Sequence, residues 1–199
     1  MPRSDAPAAA AIAREAGDLL LELRTGFGAH LSPAERGDRA DWGVHVALWE
    51  HGELAMGAMA IPCEGTVLDS ASVVAPRVRT HSQIRLAVSR SRPPAIAEPV
   101  REALDAELLL IGSAGYKIAL AAQGRIDAYV HAGGLWEWDS AAPVAIARAA
   151  GLFTSRIDGT PLEYNSEDTF LPDLVVCRPE LADTVLDAVA SHEPVGAGR

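Results

Sequence analysis

From Ile84 to Ala190 the chain alternates short apolar runs with alanine-rich stretches, and glycine, proline or serine marks most of the changes between them. The runs Ile84–Ser89, Leu108–Ile111, Ala128–Val130, Leu152–Arg156 and Leu174–Cys177, most of them rich in aliphatic residues, read as strands. Ala95–Leu104, Ser113–Ala122, Ser140–Ala150 and Pro179–Ala190 read as the helices between them. This rhythm confines the segment to an α/β layered sheet, because a strand or an amphipathic helix has an apolar face that it cannot bury alone.

The amino-terminal part reads differently. Ala8 to about Arg24 predicts a helix in which Ile12, Ala16, Leu19, Leu20 and Leu23 form the apolar face, with Glu15, Asp18 and Glu22 mostly elsewhere. Gly26 and Gly28 end it, and the polar stretch Thr25 to Asp41 reads as a loop. Gly43–Trp49 and Glu53–Ile61 flank the turn His51-Gly52 as a hairpin, and Val67 and Leu68 add a short third strand. Pro76 to His81 reads as a linker, which divides the chain into an amino-terminal α+β part, residues 1–75, and a carboxy-terminal α/β part, residues 76–199. Pro2–Pro7 and His192–Arg199 read as tails.

Composition excludes several classes. With 49% hydrophobic and 22% charged residues the chain can bury a core, and its net charge of −10 argues against a general nucleic-acid binder. No apolar run approaches the length of a membrane span, and Met1 to Ala10 lacks a signal-peptide core. Cys63 and Cys177 match no metal or redox spacing and read as two buried free thiols in a reducing cytoplasm.

Three short motifs could carry chemistry. In Trp136-Glu137-Trp138-Asp139-Ser140-Ala141-Ala142-Pro143, Asp139 stands at the start of a helix, where an acid can meet a metal ion or a substrate hydroxyl, or cap the helix. Trp136 and Trp138 read as core. In Gly112-Ser113-Ala114-Gly115-Tyr116-Lys117, Gly112, Ser113 and Lys117 sit where free backbone N–H groups open a helix, a setting for phosphate or for a plain strand-to-helix turn. It is not a P-loop, because Lys117 is not followed by Ser or Thr. In Ser89-Arg90-Ser91-Arg92, an arginine can grip a phosphate in a bidentate fork or lie solvated in a loop. Asp158-Gly159-Thr160 reads as a turn.

Together these motifs resemble the inositol monophosphatase superfamily, and within it the actinobacterial CysQ type of 3'(2'),5'-bisphosphate nucleotidases. The resemblance runs from about Asp41 to Ala190, through Asp41–Trp49, Ala87–Pro94, Gly112–Lys117, Gly124–Tyr129, His131–Pro143 and Leu171–Leu174. It implies an inositol-monophosphatase-like α-β-α-β-α sandwich and magnesium-dependent hydrolysis of a phosphomonoester such as 3'-phosphoadenosine 5'-phosphate. Asp139 would then be the metal ligand, and Ser89, Arg90, Arg92, Gly112, Ser113, Lys117 and Glu137 would bind the substrate, a small phosphorylated nucleotide. A homodimer also comes with the resemblance.

The family's D-P-[LI]-D-G-T motif and its upstream metal-binding Glu do not occur here, and Leu23–Gly37 runs almost directly into Asp41-Trp42. The amino-terminal half reads as truncated at the metal site. In-line phosphoryl transfer between two ions needs several converging carboxylates. The expectation is therefore an impaired phosphatase, with a non-catalytic nucleotide binder or an internally deleted inactive member as the alternatives.

Overall fold

The computed structural model describes residues 5–27, 41–76 and 83–192. Its elements follow in chain order as α1 (Ala6–Phe27), β1 (Val44–Glu50), β2 (Glu53–Ile61), β3 (Thr66–Asp69), β4 (Arg85–Ser89), α2 (Ala97–Leu104), β5 (Glu107–Ile111), α3 (Ala114–Ala122), β6 (Ala128–Trp136), α4 (Glu137–Ala149), β7 (Phe153–Ser155), β8 (Phe170–Cys177) and α5 (Ala182–Ala190). The hairpin, the third strand and the α/β alternation fall where the sequence pattern puts them.

The strands form two sheets. The first is antiparallel in the order β1-β2-β3, and the second is mixed in the order β5-β4-β6-β8-β7. In the second sheet β4 runs parallel to β5 and β6, while β8 is antiparallel to both β6 and β7.

Strand alternation sorts the side chains into layers. On β2, Met56, Ala58 and Ala60 face Ala6, Ala9 and Ala13 of α1. The intervening Met59 and Ile61 face Ala119 and Ala122 of α3 and Ile146 of α4. On the second sheet, Ala87, Tyr129, Leu174 and Val176 pack against α3 and α4. Leu86, Val88, Val130, Val175 and Cys177 pack on the other face against α2 and α5. The result is α1, sheet, α3 with α4, sheet, α2 with α5, the five-layer sandwich expected from the resemblance. The two sheets meet across the shared middle helices α3 and α4. Glu64, in the turn after β2, adds a polar tie: it accepts a hydrogen bond from Tyr116 on α3 and two from Arg125, at 2.7 and 2.9 Å.

α1 departs from the sequence pattern. Its buried face is the small-residue stripe Ala6, Ala9, Ala13 and Gly17, while Ile12, Leu19 and Leu20 are 58%, 55% and 45% exposed. The apolar periodicity therefore marks the wrong face; Leu23's side chain lies outside the described residues. The reason is closeness: a Cβ on Gly17 would come 2.9 Å from Pro62. Long side chains on that stripe would lift the helix off the sheet. Three further expectations change. Cys63 is exposed, not buried, although both cysteines are free. β6 continues to Trp136 and α4 begins at Glu137, three residues before the expected start. The extension depends on an irregularity between Ala132 and Leu135, where Gly133 and Gly134 take positive φ of 109° and 87°. A side chain at Gly134 would overlap the Phe170 ring.

Gly57 on β2 lies so close to α4 that a Cβ would overlap the Ala142 carbonyl. Gly57→Ala should therefore destabilise the fold by ~1–3 kcal/mol, read as a lowered urea midpoint at unchanged slope. Ile12→Ser on the exposed face of α1 should change stability by less than about 0.5 kcal/mol in the same titration.

Candidate active site

The carboxyl ends of β4 and β5 and the first turns of α3 and α4 open on the same end of the second sheet. Each candidate residue sits at one of these termini. Ser89 ends β4, and its hydroxyl accepts from the Arg92 N–H at 3.2 Å, closing a tight turn. Arg90 follows it, half exposed, with Nη2 2.8 Å from Asp41 Oδ2. Arg92 is exposed, and its charge is felt at His131.

Ser113 is the N-cap of α3, its hydroxyl accepting from the Tyr116 N–H at 3.2 Å. It holds φ 48° and ψ 124°, a conformation that costs a non-glycine residue on the order of 1–3 kcal/mol. Gly112 precedes it, and a Cβ there would overlap the Asp41 carboxylate, which would have to shift.

Lys117 is fully buried and turned inward. Its ammonium donates to the carbonyls of Ile111, Gly112 and Ser113 at 3.2, 3.2 and 2.8 Å, and stands 4.8 Å from the Tyr129 ring centre. It ties the end of β5 to the start of α3. Burial lowers its pKa to about 8, with Asp41 opposing the shift and Arg90 adding to it.

The first turn of α4 corrects the reading of Asp139 as a possible N-cap. Asp139 is the third residue of the helix, and its Oδ2 reaches back to accept from the Trp136 N–H at 3.1 Å. Pro143 lacks an N–H, which leaves the Asp139 carbonyl without its usual helical partner. Glu137 is buried and accepts from the N–H groups of Asn165 and Ser166 at 2.7 and 3.0 Å, so both its oxygens hold a loop. Trp136 and Trp138 are not core: they are 46% and 60% exposed and stack on one another at 5.3 Å, with Phe170 edge-on to Trp136 at 5.7 Å. The register of α4 turns both indoles outward once the helix starts at Glu137.

Buried polar groups outside the three short motifs complete the site, among them His131, whose place in the sequence suits either the substrate region or a strand cap. Asp41 Oδ1, His45 Nε2, Tyr129 Oη and His131 Nδ1 are buried without a hydrogen-bond partner. Electrostatic coupling connects them to the motifs: Asp139 acts on His45 and Tyr129, and Lys117 on His131. Burial lowers the pKa of both histidines, so they are held neutral. His45 Nδ1 lies 3.1 Å from the Trp138 carbonyl, which joins β1 to the first turn of α4. Beside it, a cavity of about 310 Å³ is lined by His45, Trp49, Trp138, Tyr164 and Asn165 among others. Asp41 and His45 stand in the Asp41–Trp49 run that carries the resemblance, and that run was the available signal for both.

The donor set does not fit a two-ion magnesium centre. Among the described residues no group of three or more His, Cys, Asp or Glu converges. Asp139 is engaged by Trp136 and Asp41 by Arg90. Glu35 and Asp38 lie outside the described residues. The Asp158-Gly159-Thr160 segment is a turn, with Asp158 accepting from the Thr160 N–H at 2.9 Å.

Between the folded pKa of Lys117, about 8, and its ordinary 10.5, the unfolded chain keeps a proton that the folded chain has released. Stability should therefore rise with pH across that window, by about 2.4 kcal/mol relative to a Lys117→Met variant, measured as urea midpoints at pH 7.5 and 10.

Comparison with known proteins converges on one family. A model of the inositol monophosphatase family matches residues 36–193. The 3'-phosphoadenosine 5'-phosphate phosphatase of Mycobacterium bovis is 39% identical over 202 residues, covering 94% of this chain and 76% of that protein. The 3'(2'),5'-bisphosphate nucleotidase CysQ of Escherichia coli K12 is 30% identical over 140 residues, covering 64% of this chain and 56% of its own. Among solved structures, an inositol monophosphatase from Zymomonas mobilis superposes with a TM-score of 0.64 at 22% identity, over 79% of this chain and 66% of that one. CysQ from Bacteroides thetaiotaomicron superposes with a TM-score of 0.62 at 24% identity, over 73% and 66%. The chain thus spans about three quarters of its mycobacterial relative and about two thirds of the solved chains. From the shared motifs, the five-layer fold and these matches, the chain belongs to the inositol monophosphatase family.

Proposed function

We propose that this chain carries the ligand cleft of a bisphosphate-nucleotide phosphomonoesterase, binds a small nucleotide of the 3'-phosphoadenosine 5'-phosphate type, and hydrolyses it slowly. One observation carries the reading: the ends of β4 and β5 and the starts of α3 and α4 bring Arg90, Gly112, Ser113 and Asp139 to one end of the sheet. The names of the mycobacterial and enterobacterial relatives support the nucleotide class.

In this reading the 76–199 part holds the ligand and the 1–75 part walls the cleft through Asp41 and His45. Arg90 and Arg92 supply cationic donors, and the N–H groups opening α3 meet phosphate oxygens. Lys117 and Glu137 act by holding the turns that carry those donors, and Ser89 fixes the Arg90–Arg92 loop. Asp139 directs its remaining carboxylate oxygen to a substrate hydroxyl or a cation. Magnesium is the cofactor that family membership implies, but the described donors do not fit it, and slow turnover follows. The family also implies a homodimer. No helix among the described residues is long and apolar enough to cross a membrane; the two free cysteines support a reducing, cytoplasmic setting.

A second reading, a non-catalytic nucleotide binder, is favoured by the lack of converging acids among the described residues. Phosphate release from 3'-phosphoadenosine 5'-phosphate, with and without millimolar magnesium, separates the two. We expect turnover below about 0.01 s⁻¹ against a usual enzyme value of about 10 s⁻¹, reduced further in Asp139→Asn. Magnesium-independent binding with no detectable release would favour the second reading.

A further inference from the structure

Among the described residues, three buried aspartates face arginines, and they differ in how completely they are paired. Asp127 accepts at one oxygen from the N–H and Nε of Arg85 and at the other from Nη1 of Arg178. Asp173 takes the Arg156 fork on both oxygens, at 2.7 and 2.8 Å, with the Ile157 N–H added at 2.9 Å. Both are saturated structural pairs. Asp41, just as buried at 6% exposure, has one contact to the half-exposed Arg90, and its Oδ1 has no partner. Leaving one oxygen of a buried carboxylate unpaired is costly, and a half-exposed ion pair contributes roughly 0–1 kcal/mol.

The place where this carboxylate sits is informative. It lies against the backbone of Gly112, one residue before the N-cap of α3, between Arg90 and the charge of Lys117. A guanidinium, a helix N-terminus of nine residues and a glycine that lets an anion approach the backbone make an anion cradle. Resting on the phosphate-cleft reading above, we propose that Asp41 is a built-in competitor: its carboxylate occupies the cradle that a ligand's phosphoryl group takes, and the ligand binds by displacing it. The single contact makes displacement inexpensive, whereas Asp127 and Asp173 could not leave without breaking several bonds. A phosphate dianion brings more charge and more acceptor oxygens to Arg90 and to the α3 N–H groups than the carboxylate does. The cradle should therefore select phosphoryl groups over carboxylates.

Titration calorimetry with inorganic phosphate tests this on the full chain. Asp41→Asn keeps the shape and removes the charge, and should bind phosphate about tenfold or more tightly than the unsubstituted chain. The gain should vanish in Asp41→Asn combined with Arg90→Ala. Unchanged or weaker phosphate binding by Asp41→Asn, at an unchanged melting temperature, overturns the proposal and makes Asp41 a positioning residue for Arg90. The unsubstituted chain offers a second measurement that no folding defect can obscure. The ¹³C resonance of the Asp41 carboxyl should move toward that of a solvent-exposed aspartate as phosphate saturates, and a resonance that stays fixed while phosphate binds also overturns the proposal. Failure of the underlying reading would look different: 3'-phosphoadenosine 5'-phosphate binding that Arg90→Ala leaves untouched would remove the phosphate cleft itself.

Discussion

The fold depends on how closely α3 and α4 approach both sheets at once. Gly57 on β2 presses on the Ala142 carbonyl, and Gly115 on α3 leaves space that the His45 ring fills. The helices are built from alanine and other small residues, with Ala119, Ala122, Ala142 and Ala147 buried. A layer this thin lets one pair of helices serve two sheets, so that the first sheet buries one face on α3 and α4 and the other on α1. Because interiors pack near crystal density, larger side chains in this layer would separate the sheets and open cavities that neither could fill.

The same closeness creates the site. Two helices clamped between two sheets have fixed first turns, and their free N–H groups point at a defined edge. Asp139 satisfies one such group at the start of α4, and Ser113 does so at the start of α3. Lys117 ties the β5 end to that second turn from beneath. These are the bonds that make the cleft rigid. Of the six buried side-chain polar atoms left unpaired among the described residues, four, Asp41 Oδ1, His45 Nε2, Tyr129 Oη and His131 Nδ1, lie around the same turns; the others are Trp42 Nε1 and Arg178 Nε. Buried polar atoms without partners are rare in native structures, and their concentration here is what separates a ligand-binding edge from ordinary packing.

Electrostatics divides the acids by role. Asp127 and Asp173 are saturated and hold strand ends in place; Glu137 is saturated by backbone and holds the 165–166 loop. Asp41 and Asp139 keep an oxygen in reserve. That contrast, more than burial or charge alone, marks which acids belong to the candidate site.

Local sequence determined the elements and much of the topology. The hairpin around His51-Gly52, the strand and helix rhythm after Ile84 and the turn at Asp158-Gly159 follow from side-chain period and turn chemistry, which act over a few residues. The motifs that carried the family resemblance fall together at one end of the second sheet. Other features were decided only by tertiary packing. The face that α1 buries is set by how near β2 lies, so small Ala9, Ala13 and Gly17 go in while Ile12 and Leu19 stay out, against the hydrophobic pattern. Trp136 and Trp138 face outward because α4 starts at Glu137, a register fixed by the irregularity at Gly133-Gly134 and by the Asp139 bond. Lys117 turns inward because three carbonyls at the end of β5 converge on it. Asp41 meets Arg90, 49 positions away, only because the fold sets both beside the turn from β5 to α3 at Gly112. Periodicity reports which residues prefer apolar surroundings; it does not report the distance to the neighbouring layer, which decided the face of α1, or the long-range partners that decided the other cases.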